Sequence, residues 1–351
     1  MKKKLFSILL VSTMVVSLAA CGSSDDSDGS SDTGSTDETN SSDTAEESSS
    51  GETYSISIIL KTLSSEVSGY IQAGAEAYDE EHDNVTIDVK GPTSQTAYDE
   101  QLNMIETDLN SGAYDAMVIA PLQADSVATM IEGTDMPILA VDGDIDSDDV
   151  LAYVGIGNYD AAYAGAEEAV AAAEEAGWDE INAICIAGVE GDEVSEDRID
   201  GFMDGTEAAG GTFLEDETQY GDSVADKAVT CMEGIIQNHP DGVAIVYCIN
   251  DDMAMAAQKA ASDYEAYDNT IFVGFDGIIS ACESILEGEE TMSVSMEAYD
   301  MGYKAAEVAV AAIEGEELDD FYDTGYTIVT QENAQERIDL LSTFVTDDEE
   351  E

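Results

Sequence analysis

Short apolar segments alternate with longer helical segments along most of this chain of 351 residues. Apolar runs predict nine strands, at 55–60, 85–89, 116–120, 138–141, 152–155, 183–187, 243–248, 271–274 and 293–296. Amphipathic or alanine-rich stretches between most of these strands predict helices, such as those at 66–80, 97–109, 159–176, 195–209, 226–237, 251–262 and 299–314. Continuous apolar strands separated by helices indicate parallel sheets covered on both faces. Two successive sets of such units predict an α/β protein with two doubly wound domains, with a single eight-unit barrel as the alternative.

The first 21 residues are typical of an exported protein. Three lysines at 2–4 precede an apolar run at 5–18, which is too short to span a bilayer and predicts a cleaved signal. The run ends in Leu18-Ala19-Ala20-Cys21, which resembles the bacterial lipobox. That resemblance implies a signal peptide at 1–20 and a lipidated N-terminal Cys21. An ordinary secretory signal that contains a Cys is the alternative.

The segment that follows Cys21 is too polar to fold by itself. Residues 22–52 contain ten acids, no Lys or Arg, and one aliphatic residue, Ala45. Such a composition buries too little apolar surface to offset the entropy of ordering the chain. We therefore expect 21–53 to be a lipidated, disordered linker that holds a folded domain away from a membrane.

The charge of the chain is extremely one-sided. The chain has ten Lys and Arg and 79 Asp and Glu, which gives a formal net charge of −69. Removal of the signal would remove three of these ten basic residues. A polyanion of this strength repels nucleic acid and anionic lipid headgroups, so neither is a predicted partner. A solvated acidic surface is the favoured interpretation, and a dedicated cation-binding surface is the alternative.

Polar residues follow several predicted strands, and the strings that contain them carry a family resemblance. In chain order they are ILKTLSS (59–65), GPTSQTAYDEQL (91–102), YDAMVIAPLQADSV (114–127), PILAVDGD (137–144), YVGIGNYDAAYAG (153–165), EDRIDGF (196–202), VYCINDDMAMA (246–256) and VGFDG (273–277). Together they resemble the type I periplasmic sugar-binding proteins, specifically the ribose- and allose-binding branch of ABC-importer substrate-binding proteins. The resemblance runs from residue 54 to about residue 330.

The resemblance implies a specific domain organisation. Two Rossmann-like doubly wound parallel-sheet domains are joined by a three-strand hinge. The N-terminal domain comprises 54–157 and 297–325, and the C-terminal domain comprises 158–296 and 326–345. Residues 346–351 form an acidic tail.

The resemblance also implies a ligand site of planar polar groups at strand ends. Sugar hydroxyls donate and accept hydrogen bonds together, so carboxylates, amides and guanidinium groups suit them. The implied ligand-binding positions are Lys61, Ser65, Asp142, Asn158, Arg198, Tyr220, Asn250, Asp276 and Met296. Arg198, which begins its predicted helix, carries weight because the chain has only one other arginine, Arg337. The alternatives are a turn residue for Asp276 and a helix N-cap for Asn250.

The sequence departs from this family at the positions that stack on a sugar. Relatives carry aromatic residues in the first loop, where this chain has Val67 and Ser68, and Gln where it has Met296. They often carry another aromatic within 219–226, where Tyr220 is a possible substitute; Tyr70 and Tyr159 are other candidates. The hydrogen-bonding part of a sugar site is therefore better supported than the stacking part.

Motifs for catalysis and for metal binding are missing or incomplete. The sequence has no GxSxG, HExxH or P-loop motif, and GIGNYD (155–160) lacks the third glycine of a dinucleotide fingerprint. The two histidines, His82 and His239, lie in polar contexts and are predicted at the surface. DGDIDSD (142–148) is similar to a calcium loop, but Ser147 and Tyr153 occupy its sixth and twelfth positions, which favours an acidic loop.

The mature cysteines have no metal-binding or disulfide spacing from which a pairing can be deduced. They are Cys185, Cys231, Cys248 and Cys282. We therefore predict no enzyme activity, no cofactor and no metal.

The combined interpretation is a lipid-anchored, monomeric solute receptor on the outer face of the cytoplasmic membrane of a Gram-positive bacterium. It is expected to bind a monosaccharide and to deliver it to an ABC permease. A sensory module that presents the ligand to a membrane kinase or chemoreceptor is the alternative.

Overall fold

The computed structural model describes residues 52–344. The predicted signal, Cys21, most of the linker and the acidic tail lie outside the described residues. The strands are β1 (Tyr54–Ile59), β2 (Val85–Lys90), β3 (Ala116–Ile119), β4 (Ile138–Val141), β5 (Val150–Gly155), β6 (Asn182–Ala187), β7 (Thr212–Phe213), β8 (Gln219–Tyr220), β9 (Ile245–Cys248), β10 (Ile271–Asp276), β11 (Met292–Met296), β12 (Phe321–Asp323) and β13 (Tyr326–Val329). The helices are α1 (Glu66–Glu81), α2 (Tyr98–Ser111), α3 (Ala124–Ile131), α4 (Asn158–Ala176), α5 (Glu193–Ala208), α6 (Ala225–Asn238), α7 (Asp251–Ala261), α8 (Ile279–Glu287), α9 (Ala298–Glu314) and α10 (Ala334–Leu341).

The first sheet contains six parallel strands in the order β12-β5-β4-β3-β1-β2. Successive residues of β1 enter different cores: Ile58 joins the larger hydrophobic cluster, and Ile59 joins a separate cluster with Met117 and Ile138. All four side chains are fully buried. Both faces of the sheet are covered, which explains why its strands are continuous apolar runs.

The second sheet contains seven strands, with β13-β11-β10-β9-β6-β7 along its main path and β8 paired to β6. Its strands are parallel except for β13, which runs antiparallel to β11. The central strands β9 and β10 are buried almost throughout. Two separate sheets exclude the single barrel and confirm the predicted α/β fold class.

The chain passes between the two sheets three times. The first passage follows β5, since α4 packs on the second sheet against β10 and β11. The second follows β11, since α9 packs on the first sheet against β3, β4 and β5. The third is the short link from β12 to β13, which belong to different sheets.

Several predicted elements differ from the structure in extent. Strand β5 begins at Val150 and β9 at Ile245, and α5 begins at Glu193. Arg198 therefore lies in the second turn of α5, and the prediction that it begins the helix is wrong. The sequence did not predict the short strands β7, β8, β12 and β13 or the helices α3, α8 and α10. Between residues 52 and 344, no helix combines the length and apolar character needed to cross a membrane.

Candidate functional site

A cavity of about 90 Å³ lies where the carboxyl ends of strands from both sheets face each other. A single water needs roughly 10–15 Å³ on this measure, so the cavity is large enough for a small polar molecule. The first sheet contributes residues that follow β1, β2, β3 and β4, and the second contributes residues at or after the ends of β6, β8, β9, β10 and β11. The lining residues are Lys61, Ser65, Glu66, Val67, Ser68, Gln95, Pro121, Leu122, Asp142, Val189, Asp192, Val194, Arg198, Asp222, Ser223, Ile249, Asn250, Asp252, Asp276, Ile278 and Met296.

Arg198 is the most constrained polar side chain of this cavity. It is 5% exposed, and its Cζ lies 3.6 Å from the ring centroid of Phe275. Its Nε donates to Asn158 Oδ1 at 2.9 Å and its Nη1 donates to the main-chain oxygen of Ile249 at 2.7 Å. Nη1 also lies 3.6 Å from Asp276 Oδ1. No partner for Nη2 occurs among residues 52–344, so this nitrogen can donate to a ligand.

Asp276 completes this charged pair at the end of β10. Burial raises the pKa of its carboxyl group, and the nearby Arg198 guanidinium opposes that rise. The guanidinium is held in place by Asn158 and Ile249, and at 3.6 Å it favours the ionised form of this carboxyl group. The pair therefore offers a carboxylate acceptor and a guanidinium donor side by side.

A second charged pair lies on the first sheet. Lys61 Nζ donates to the main-chain oxygen of Asp142 at 2.8 Å and lies 3.1 Å from Asp142 Oδ2. The two side chains are only 20% and 11% exposed. Each sheet thus presents one cation and one carboxylate to the cavity, an arrangement suited to hydroxyl groups.

Asn250 has both of the roles weighed from sequence. Its Oδ1 accepts from the main-chain nitrogen of Met253 at 2.9 Å, so it caps the N-terminus of α7. Its side chain is also part of the cavity lining and lies 3.4 Å, through Nδ2, from the main-chain oxygen of Ser223. The cap fixes the rotamer of Asn250 at the edge of the cavity.

Backbone strain is concentrated at this cavity. Within the described part of the chain, four residues other than glycine have a positive φ: Asp142 (56°), Asp222 (49°), Ser223 (59°) and Asp276 (123°). All four line the cavity. A side chain in this region costs on the order of 1–3 kcal/mol, and such residues cluster at binding sites.

Seven of the nine predicted ligand-binding residues line the cavity: Lys61, Ser65, Asp142, Arg198, Asn250, Asp276 and Met296. Asn158 lies behind it, where it is buried and holds Arg198. Tyr220 does not line it and is 45% exposed. The other two stacking candidates are also absent from the lining: Tyr70 is buried next to Glu66, and Tyr159 donates to Asp204.

The cavity walls are aliphatic rather than aromatic. None of the lining residues is aromatic, and the apolar wall includes Val67, Leu122, Val189, Ile278 and Met296. The predicted ligand-binding positions did not include the polar lining residues Glu66, Ser68, Gln95, Asp192, Asp222, Ser223 and Asp252. The run QYGDSVAD (219–226) contains two of them, whereas Tyr220, the aromatic residue predicted from this run, is exposed.

The acidic loop 142–148 does not form a metal cage. Asp142 pairs with Lys61, and Asp144 Oδ1 accepts from the main-chain nitrogen of Ile145 at 2.7 Å. Across residues 52–344, no group of three or more His, Cys, Asp or Glu side chains has the arrangement of a metal site. The four cysteines of this part of the chain are free, and both histidines are partly buried rather than fully at the surface.

The model of the family described as "Periplasmic binding protein domain" matches residues 56–317. The chain belongs to the periplasmic binding protein family. This membership confirms the resemblance identified from the sequence, and it makes the chain a solute-binding protein rather than an enzyme.

Curated relatives of this binding protein include importer components. It is 24% identical over 281 residues to the ribose import binding protein RbsB of Salmonella typhimurium, which covers 79% of this chain and 90% of the relative. It is 26% identical over 266 residues to the D-allose-binding periplasmic protein of Escherichia coli. This match covers 73% of this chain and 83% of the relative.

Solved structures share its fold. A carbohydrate transporter solute-binding protein from Agrobacterium radiobacter, in complex with D-arabinose, matches with a TM-score of 0.74 and 23% identity, covering 82% of this chain and 98% of the other. An ABC transporter solute-binding protein from Bacillus halodurans with bound myo-inositol matches with a TM-score of 0.72 and 22% identity. This match covers 82% of this chain and 98% of the other. At these identities the likeness establishes the fold of this binding protein.

Proposed function

We propose that this protein captures a neutral, polyhydroxylated small molecule, a monosaccharide in particular, and delivers it to an ABC importer. The observation that carries the proposal is the pair of largely buried cation–carboxylate couples, Lys61–Asp142 and Arg198–Asp276, at one cavity. Each couple is internally neutralised and still has donors and acceptors free for hydroxyl groups. Curated relatives named for ribose and allose binding support the same ligand class.

Two lobes are proposed to close on the ligand. The first lobe comprises 54–157 and 297–325, and the second comprises 158–296 and 326–345. Lys61 and Asp142 belong to the first lobe, whereas Arg198, Asn250 and Asp276 belong to the second. A ligand between them would contact both lobes at once, and the three chain passages would act as the hinge.

The aliphatic walls support a ligand held mainly by hydrogen bonds. Aromatic rings stack on the apolar face of a pyranose, and this cavity lacks them in its lining. Valine, leucine and methionine can still cover a small apolar face by dispersion contact. Small polyols and pentoses therefore fit this site better than large hexose derivatives.

We further propose that the protein acts as a monomer tethered by a lipid on Cys21 to the outer face of the cytoplasmic membrane, in a Gram-positive bacterium. The lipobox-like sequence and the acidic segment that follows it support this location. The linker would let the lobes reach a permease without interference from the anchor.

A thermal-shift screen tests the ligand class directly. D-Ribose, D-allose, D-arabinose and myo-inositol are compared with an amino acid and a sugar phosphate at equal concentration. A ligand that binds only the folded state stabilises it by about 2.7 kcal/mol at one hundred times its Kd. We expect a shift with at least one neutral polyol and its loss in Arg198→Ala. A shift only with the amino acid or the phosphate would refute the proposal.

A further inference from the structure

Glu290, in the loop between α8 and β11, is a buried acid without a compensating partner. It is 1% exposed, and neither carboxyl oxygen has a hydrogen-bond partner in the described residues. An isolated buried carboxylate is strongly disfavoured, so such a group takes up a proton. A protonated carboxyl group then has an O–H that requires an acceptor.

Asp251, at the start of α7, is the carboxyl group that approaches Glu290. A methyl group built on Gly274 would lie 2.2 Å from Asp251 Oδ1 and 2.3 Å from Glu290 Oε1, so the two carboxyl oxygens converge on one point of β10. Asp251 is fully buried. The absence of a side chain at Gly274 is what lets the two acids approach each other.

Asp251 also holds the turn that closes the ligand cavity. Its Oδ2 accepts from the main-chain nitrogens of Gly277 at 2.7 Å and Ile278 at 3.1 Å. Its Oδ1 accepts from Ser293 Oγ at 2.6 Å. These bonds fix the turn 276–278, which begins with the strained, ligand-facing Asp276.

Other titratable groups face this pair of acids from the surrounding elements. Asp276 approaches from β10, Cys248 from β9, Cys282 from α8 and Asp252 from α7 itself. The two arginines of the region are engaged elsewhere: Arg198 with Asp276, and Arg337 with Glu297 and with the main-chain oxygens of Gly277 and Met296. Among residues 52–344, no Lys or Arg forms an ion pair with Glu290 or Asp251.

We propose that Glu290 and Asp251 share one proton, and that this proton keeps the turn 276–278 in its ligand-binding geometry. Glu290 is then a positioning residue, because it acts on the cavity through Asp251. The proposal does not depend on which ligand the cavity binds.

The electrostatics agree with this assignment. Burial raises the pKa of Glu290 well above its ordinary value, with Asp251 and Asp276 adding to the rise; the main-chain amide of Gly274 opposes it in part without reaching hydrogen-bond geometry. Burial likewise raises the pKa of Asp251, to about 7. Two acids this close titrate as a unit rather than one by one.

The sign of the resulting pH dependence follows from proton binding. The folded state retains a proton that the unfolded chain releases above its ordinary carboxyl pKa of about 4. Stability from the pair is therefore complete below about pH 4 and is lost as the pH rises through the raised folded-state pKa. In that interval the unfolding constant rises by up to about tenfold per pH unit for one proton.

The decisive variants are Glu290→Gln and Asp251→Asn, with Glu289→Gln as the control. Glu289 is the exposed neighbour, so its variant removes one charge from the highly acidic surface and leaves the pair intact. The amide in Glu290→Gln mimics the protonated acid and still donates to Asp251. Chemical unfolding is measured for all proteins between pH 5 and pH 9.

We expect wild type and Glu289→Gln to lose stability with rising pH in parallel, and Glu290→Gln to lose markedly less. In Asp251→Asn the loss of stability should occur at lower pH, because the negative charge next to Glu290 is gone and the pKa of Glu290 falls. Infrared spectroscopy at pH 6 should show the carbonyl stretch of a protonated carboxyl group that disappears in Glu290→Gln.

Hydrogen exchange tests the positioning role. Protection of the amides in 276–278 is compared between wild type and Glu290→Gln at the same pH. The ratio of wild-type protection to variant protection should be about tenfold lower at pH 9 than at pH 6. Identical pH profiles for wild type and Glu290→Gln would overturn the proposal. So would a wild-type stability that depends specifically on Na⁺ and is lost in Glu290→Gln, since a cation would then lie between the two carboxylates.

Discussion

Glu66 accepts a hydrogen bond from the main-chain nitrogen of Ile279, with 3.1 Å between that nitrogen and Oε2. Its other oxygen accepts from Ser280 Oγ at 2.5 Å. Glu66 lies on α1, which packs with the first sheet, whereas Ile279 and Ser280 begin α8, which packs with the second. Because Ile278 provides no side-chain cap, Glu66 supplies an acceptor for the N-terminus of α8 from across the cavity.

Glu66→Gln should favour an open arrangement of the two lobes. The amide weakens both contacts, and solvent screening limits the loss to about 1 kcal/mol or less. Small-angle scattering should give a larger radius of gyration than for wild type without ligand. Glu76→Gln is the control, because Glu76 is exposed on the same helix and accepts a hydrogen bond from Gln72. Equal radii for Glu66→Gln and Glu76→Gln would show that this contact does not hold the lobes together.

Arg198→Ala and Asp142→Ala should each weaken ligand binding by roughly 2–5 kcal/mol, the usual loss when one member of a buried charged pair is removed. Their partners, Asp276 and Lys61, would remain desolvated and unpaired. Calorimetric titration with the polyol found in the screen measures the change. Asp146→Asn and Asp148→Asn are the controls, since both acids are exposed and screened by salt. Loss of binding in these controls instead would place the ligand at the acidic loop.

Ser223→Gly should separate stability from binding. Glycine adopts the observed φ of 59° without the side-chain strain, so the free energy of unfolding should rise by up to about 1 kcal/mol. Binding should weaken, because the hydroxyl at the cavity wall is lost and the loop gains freedom. Ser223→Ala keeps the strain and loses the hydroxyl, so it should weaken binding without the gain in stability. A gain of stability in Ser223→Ala as well would rule out strain as the cause.

Gly302→Ala should destabilise the packing of α9 against α1. A methyl group at Gly302 would lie 1.9 Å from the main-chain oxygen of Ile71, so α1 and α9 would have to separate at a cost of about 1–3 kcal/mol. Gly234→Ala, in α6, is the matched control because nothing lies within 4 Å of the added methyl group. There the substitution should stabilise the helix by roughly 0.5–1 kcal/mol. Urea unfolding of both variants checks the prediction, which fails if they shift in the same direction.

Cys21→Ser should release the exported protein from membranes and leave ligand binding unchanged. The lipid anchor would be attached to the Cys21 thiol, and the polar segment 22–52 separates it from the folded lobes. Fractionation of membranes and medium measures the release, and a thermal shift with the identified polyol checks the binding. Retention of the Ser variant in the membrane fraction would exclude lipidation at this position.

The apolar segments by themselves determined most of the fold. Strands such as Ala116–Ile119 and Ile138–Val141 are apolar at every position because both faces of each sheet are covered, so their type could be predicted without any contact information. The edge strands Phe321–Asp323 and Tyr326–Val329 were missed because they are short and partly exposed and lack that pattern.

The charged part of the site was also predictable. Arg198 stood out because the chain has only one other arginine, whereas Lys61, Asp142 and Asp276 were implied by the family resemblance. Which residues of 219–226 reach the cavity was not predictable, because consecutive positive φ values at Asp222 and Ser223 turn those two residues toward it and leave Tyr220 exposed.

Tertiary structure alone decided which of the many acidic side chains are buried and which are exposed. Glu289 and Glu290 are identical neighbours in the sequence, yet one is exposed and the other is 1% exposed. The sequence determined the number of carboxyl groups and their positions along the chain. Packing against Gly274 and Asp251 determined that Glu290 is desolvated, and desolvation is what gives a carboxyl group a raised pKa and a proton to share.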